Sequence, residues 1–120
     1  MKYMLMIFSN PALIETFGEG ELDSVMAEVG EIMAELRESG EWVGGEALAD
    51  VSQSKTVRVR DGVPAVTDGP YLEAKEHLAG YCLFDCDTEE RALELAARWP
   101  DARYTAVELR PVMDTSGAEM

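Results

Sequence analysis

Tyr3, Leu5 and Ile7 alternate with Met4, Met6 and Phe8, so a strand over residues 2–8 is apolar on both faces. A strand dry on both sides belongs inside a sheet whose two faces are both covered. No single layer of helices satisfies that requirement. The chain must therefore supply helices for one face and find something else for the other.

The rest of the sequence supplies the helices. Asn10 to Gly20, with Pro11 and two glycines, reads as a loop. Leu22, Val25, Met26, Val29, Ile32, Met33 and Leu36 then recur at spacings of three and four, predicting an amphipathic helix over 21–38. Ser39-Gly40 stops it, glycine accepting the left-handed terminal conformation. Trp42 to Leu48 reads as a strand weakened by Gly44-Gly45. Residues 56–60 and 63–67 flank Asp61-Gly62, a two-residue turn suited to a type I′ hairpin that sets Val57 opposite Val66 and Val59 opposite Pro64. A polar connection from Asp68 to His77 leads to a strand over 79–86. Asp87 and Glu90 have the spacing of a capping box, opening a helix that runs to Trp99 and ends at Pro100. Tyr104 to Val112 is the last strand. Residues 1–113 thus form a single domain, and 114–120, without periodicity, a flexible C-terminal tail.

The order β-α-β, hairpin, β-α-β predicts an α+β fold: a ferredoxin-like antiparallel sheet with two helices on one face and an inserted hairpin. The second apolar face of the sheet then needs a cover, and the same face of a second copy provides one. A homodimer is the expected partner arrangement, with a cavity between the two sheets for a small molecule.

Charge narrows function further. Twenty-four carboxylates against ten Lys and Arg give a net charge of −14, which repels a phosphate backbone and an anionic membrane surface. Direct binding of nucleic acid or membrane is not expected. The apolar opening is too short for a signal segment, and no run approaches the ~20 apolar residues of a membrane span, so a cytoplasmic location is expected. Cys82 and Cys86 lie four strand steps apart, about 13 Å, too far to bridge each other. They read as buried free thiols. One histidine and two such cysteines make no zinc site, and no phosphate-cradling loop, nucleophile elbow or dinucleotide fingerprint is present, so no cofactor or metal is expected.

The most specific string is Asp68-Gly69-Pro70-Tyr71-Leu72-Glu73-Ala74-Lys75-Glu76-His77-Leu78-Ala79-Gly80-Tyr81. It resembles the signature of the YCII-related family, in particular its DGPF branch, with Tyr71 in place of Phe and Ala74 in place of Thr. Met1 to Leu5, Val43-Gly44-Gly45-Glu46, Thr56 to Gly62 and Glu108-Leu109-Arg110-Pro111-Val112 extend the likeness over residues 1–113. The resemblance implies a dimeric α+β barrel, similar in fold to muconolactone isomerases and small monooxygenases, and brings no established reaction. A His–Asp pair is proposed as catalytic in some members, its histidine on or near the first helix. Positions 21–38 of this chain hold no histidine, so that pair does not carry over. Relatives of the DGPF branch are often encoded beside extracytoplasmic-function sigma factors, which implies a regulatory link.

Candidate chemistry gathers around that string. His77 is the only histidine, with Asp68 as the group that would orient it for acid–base work, against a solvated histidine as the plain alternative. Gly69, Pro70 and Tyr71 form the structural corner, where the Asp68 side chain caps nearby N–H groups as an Asx-turn or pairs with Lys75 at a cavity mouth. Arg58, Lys75 and Arg110, with Tyr81 as a hydrogen-bonding aromatic, are candidates for holding a small polar or anionic ligand. Two functions follow: binding or transformation of a small polar molecule between the sheets, or a non-catalytic regulatory module linked to a sigma factor. Whether the chain is an enzyme does not follow from the sequence.

Overall fold

The computed structural model describes residues 1–113; the tail expected over 114–120 lies outside them. Four strands, β1 (Lys2–Ser9), β2 (Trp42–Ala47), β5 (His77–Asp85) and β6 (Ala106–Pro111), form an antiparallel sheet in the order β2-β5-β1-β6. The two strands that are apolar on both faces, β1 and β5, occupy its centre, as their composition requires. The helices α2 (Glu21–Ser39) and α3 (Glu89–Arg98) are the β-α-β crossovers. The fold is α+β and consistent with a ferredoxin-like arrangement.

One sheet face builds the core. Tyr3 and Leu5 of β1, and Cys82 and Phe84 of β5, pack with Ile32 and Leu36 of α2 and with Ala92, Leu95 and Trp99. Cys82 and Cys86 are buried and free, as expected. The opposite face carries Met4, Met6 and Phe8 beside Tyr81 and Leu83, all only partly covered. Among the described residues no helix is long and apolar enough to cross a membrane.

Three boundaries differ from the sequence reading for a local reason, and β5 also begins two residues before the expected strand. The stretch expected as loop after β1 contains a short helix, α1 (Pro11–Ile14), because the Asn10 side chain accepts from the Ala12 N–H and Pro11 is pre-set for a first turn. The cap of α3 is Thr88, not Asp87: its hydroxyl accepts from the Arg91 N–H at 3.1 Å, which leaves Glu90 inside the first turn. Pro100 does not simply end a helix. With φ −55° and ψ −36° it opens a second short one, α4 (Asp101–Tyr104), so β6 begins at Ala106 rather than Tyr104.

The hairpin β3 (Lys55–Arg60) and β4 (Val63–Asp68) is a sheet of its own, in the expected register, Val57 against Val66 and Val59 against Pro64. Asp61 and Gly62 at its tip have φ of 51° and 77°, the pair of positive values a type I′ turn demands. The hairpin hydrogen-bonds to no strand of the larger sheet, and the radius of gyration, 16.7 Å, exceeds the roughly 14 Å of a compact chain this long.

Candidate functional site

The apolar stripe of α2 is used unevenly. Ile32 and Leu36, in its second half, are buried against the sheet, whereas Leu22 and Met26, in its first half, are 46% and 60% exposed. The first half stands off the sheet. Arg103 grips Glu28 in that first half with both Nη atoms at 3.1 and 2.8 Å, while Arg98 grips Glu35 in the second half at 3.2 and 2.6 Å.

The gap is a cleft of two adjoining cavities, about 380 and 170 Å³, which share Met26, Val29 and Asp101 in their walls. Ile7, Gly45 and Cys82 line it, together with Trp42 and Trp99. Gly45 belongs there for a steric reason. A Cβ on it would stand 2.5 Å from the Tyr81 carbonyl oxygen, so β2 comes this close to β5 only with glycine.

Asp101 is the chemically distinctive group of this cleft. It begins α4, directly after the buried Trp99 and Pro100, which fixes where its carboxyl sits. Burial pushes that carboxyl above the ordinary aspartate value, opposed only by its own N–H. Among the described residues it has no ion-pair partner. Burial also pushes the Cys82 thiol up to about 12, and the negative charge of Asp101 adds to the rise. Cys82 is therefore a neutral, weak donor and no nucleophile. A half-dry carboxyl with a raised pKa, in a cleft of Met, Val, Ile and Trp side chains, is a group poised to give or take a proton.

The residues selected from sequence lie elsewhere. His77 is not in a polar connection: it pairs with Ser9 as the first residue of β5. With Pro70 and Tyr71 it lines a wide groove of about 760 Å³ at the base of the hairpin, alongside Asp50 and Lys55. Ser52 holds the Asp50 carboxyl below its usual range through hydroxyl and N–H, and the charge of His77 adds to this. Asp68 is paired with Lys55 across the ladder. Gly69, at φ +96°, takes the backbone conformation that other residues resist, its N–H donating to Ser54 and its carbonyl accepting from Thr56 Oγ1. The guanidinium of Arg58 lies 5.1 Å from the centre of the Tyr71 ring. Lys75 stays exposed in the connection between β4 and β5. Arg110 is on β6, at the opposite edge of the sheet from β2, 3.5 Å from Glu108. Tyr81 lies on β5 between residues that face the helices. Within one chain the groove gathers His77, Pro70 and Tyr71, with Arg58 stacked beside them. Arg110 and Tyr81 belong to the four-stranded sheet.

The sequence reading misses Asp101 because it ends the helix at Pro100. A proline followed at once by an acid is also a pattern of helix starts, and that signal marks the position.

Comparison with known proteins gives two findings. The YCII-related domain matches residues 1–116 of the chain. An uncharacterized protein of Rhizobium meliloti (strain 1021) is 26% identical over 114 residues, covering 93% of this chain and 92% of its own length.

Proposed function

The chain belongs to the YCII-related domain family, and from that premise we propose that it binds a small, largely apolar molecule in the cleft beneath α2 and exchanges a proton with it through Asp101. The observation that carries this reading is the half-buried carboxyl of Asp101, without an ion-pair partner among the described residues, in a largely apolar cleft. Such a group costs stability, and a fold retains that cost most readily where the group acts. The cleft walls present the carboxyls of Asp101 and Glu46 and no cation, so the ligand is neutral or basic rather than the anion anticipated from Arg58, Lys75 and Arg110. Within the family, the corner Asp68-Gly69-Pro70-Tyr71 and its left-handed Gly69 support placing the chain in the DGPF branch.

The test uses N-phenylnaphthylamine, a neutral apolar fluorophore, titrated into the whole chain. Val29→Phe fills the cleft and is expected to weaken its binding by about tenfold or more, since the apolar area the probe would cover is already taken. His77→Asn is expected to leave it unchanged. Unaltered binding by Val29→Phe together with loss in His77→Asn would move the site to the groove at the hairpin base.

A further inference from the structure

We propose that Thr105 is a positioning residue, its hydroxyl tying the turn that carries Asp101 to strand β1 and so setting how deep the Asp101 carboxyl sits in the cleft. This role rests on Asp101 being the proton-exchanging group there. Asp101 begins α4, a single turn of four residues, too short to hold its shape by its own hydrogen bonds. Whatever fixes the carboxyl must therefore act from outside the turn. On one side Trp99 and Pro100, both buried, anchor the chain. On the other side stands Thr105.

The Thr105 N–H donates to the Asp101 carbonyl at 2.8 Å, closing the turn. Its Oγ1 donates to the Phe8 carbonyl of β1 at 2.6 Å and lies 3.3 Å from the Asp101 carbonyl oxygen. The bond to Phe8 is at the short end of the range for a hydroxyl donor. Phe8 and Ala106 are the last pair of the β1–β6 ladder, so one side chain joins the Asp101 turn to the end of that ladder. Two further side chains hold α4. Arg103 pairs with Glu28, and the Tyr104 ring stands 4.9 Å from that of Phe17. The ion pair is 50% and 40% exposed, where such pairs contribute little. Both of these contacts end on side chains, whereas the Thr105 bond ends on the main chain of an inner strand. Depth matters because burial is what raises the Asp101 pKa. A turn that swings outward returns water to the carboxyl and favours its ionised form.

A pH titration of the Asp101 carboxyl carbon shift in the whole chain tests this. Thr105→Val keeps the branched shape and deletes the hydroxyl, and its midpoint is expected to fall back toward 3.8. Thr105→Ser keeps the hydroxyl and is expected to keep the parent midpoint. Thr88→Val removes the cap hydroxyl of α3, which destabilises the fold from the far end of that helix. It is expected to leave the Asp101 midpoint in place. A merely structural Thr105 would lose stability in the valine variant with the midpoint unmoved. The parent gives a reading without mutation, since the Thr105 hydroxyl proton should exchange slowly enough to show its own resonance. A valine variant with the parent midpoint, a serine variant that falls with it, or a Thr105 hydroxyl proton in fast exchange would overturn the proposal and leave the Asp101 reading standing. A parent midpoint at or below 3.8 would overturn both.

Discussion

Replacing Phe84 by alanine is expected to cost about 3–5 kcal/mol, the range for deleting a fully buried aromatic. Phe84 is wholly buried on β5, and its ring stands 6.4 Å from that of Trp42 and 6.2 Å from that of Trp99. Its ring contacts both of the tryptophans that line the cleft. The loss therefore has two readouts. Urea melts report the lost stability, which is a large part of the 5–15 kcal/mol of an ordinary domain. Tryptophan emission and N-phenylnaphthylamine binding report that the cleft wall has relaxed. A cost below about 1 kcal/mol, or a variant that binds the probe as the parent does, would contradict this packing.

The second large effect is electrostatic. Arg91 holds Glu41 with two bonds of 2.9 Å, reaches Glu94 at 2.9 Å and lies 3.6 Å from Glu35, tying α3 to the start of β2 and to α2. The Glu41 side chain is only 17% exposed, so it depends on that partner. Arg91 brings its carboxyl down from 4.5 to about 2, with Ser39 helping. Arg91→Met is expected to cost about 2–3 kcal/mol near neutral pH, the value of charge-assisted bonds to a carboxylate left half-buried. The pH dependence has a definite sign. Because folding lowers the pKa of Glu41, its contribution is complete above about 4.5 and is lost as the pH falls toward 2. Parent stability should fall more steeply through that window than that of the variant, which keeps only the slope of the other shifted acids such as Glu28 and Glu35. Parallel profiles from urea melts at a series of pH values would show that Glu41 does not depend on Arg91.

How far the fold could be read in advance follows from which interactions are local. The double apolar face of β1 placed it inside the sheet, and Asp61-Gly62 fixed the hairpin register pair by pair, because pleat and turn chemistry act over a few residues. The cap of α3 went wrong by one residue because Asp87 and Thr88 both carry capping oxygens, and only the position of the first turn chooses between them. The cleft was not legible at all. It lies where the first half of α2 stands off the sheet with Leu22 and Met26 exposed, and no periodicity in α2 records that separation. Arg58 and Arg110 were grouped by charge alone, while the sheet order sets them on different sheets. His77 joined β5 through its pairing with Ser9, a contact between chain segments far apart.

The central claim, that Asp101 is a proton-exchanging group in a ligand cleft, is tested most directly by following its carboxyl carbon shift in a pH titration, with and without saturating N-phenylnaphthylamine. Folding raises this pKa, so Asp101 binds its proton more tightly in the native state, and stability declines as the pH rises from 3.8 through the raised value. The midpoint is expected above 3.8 in the free chain and higher still when the probe expels water from the cleft, since both steps disfavour the ionised form. A midpoint at or below 3.8 that the probe leaves in place would mean that Asp101 is solvated and stands outside any site.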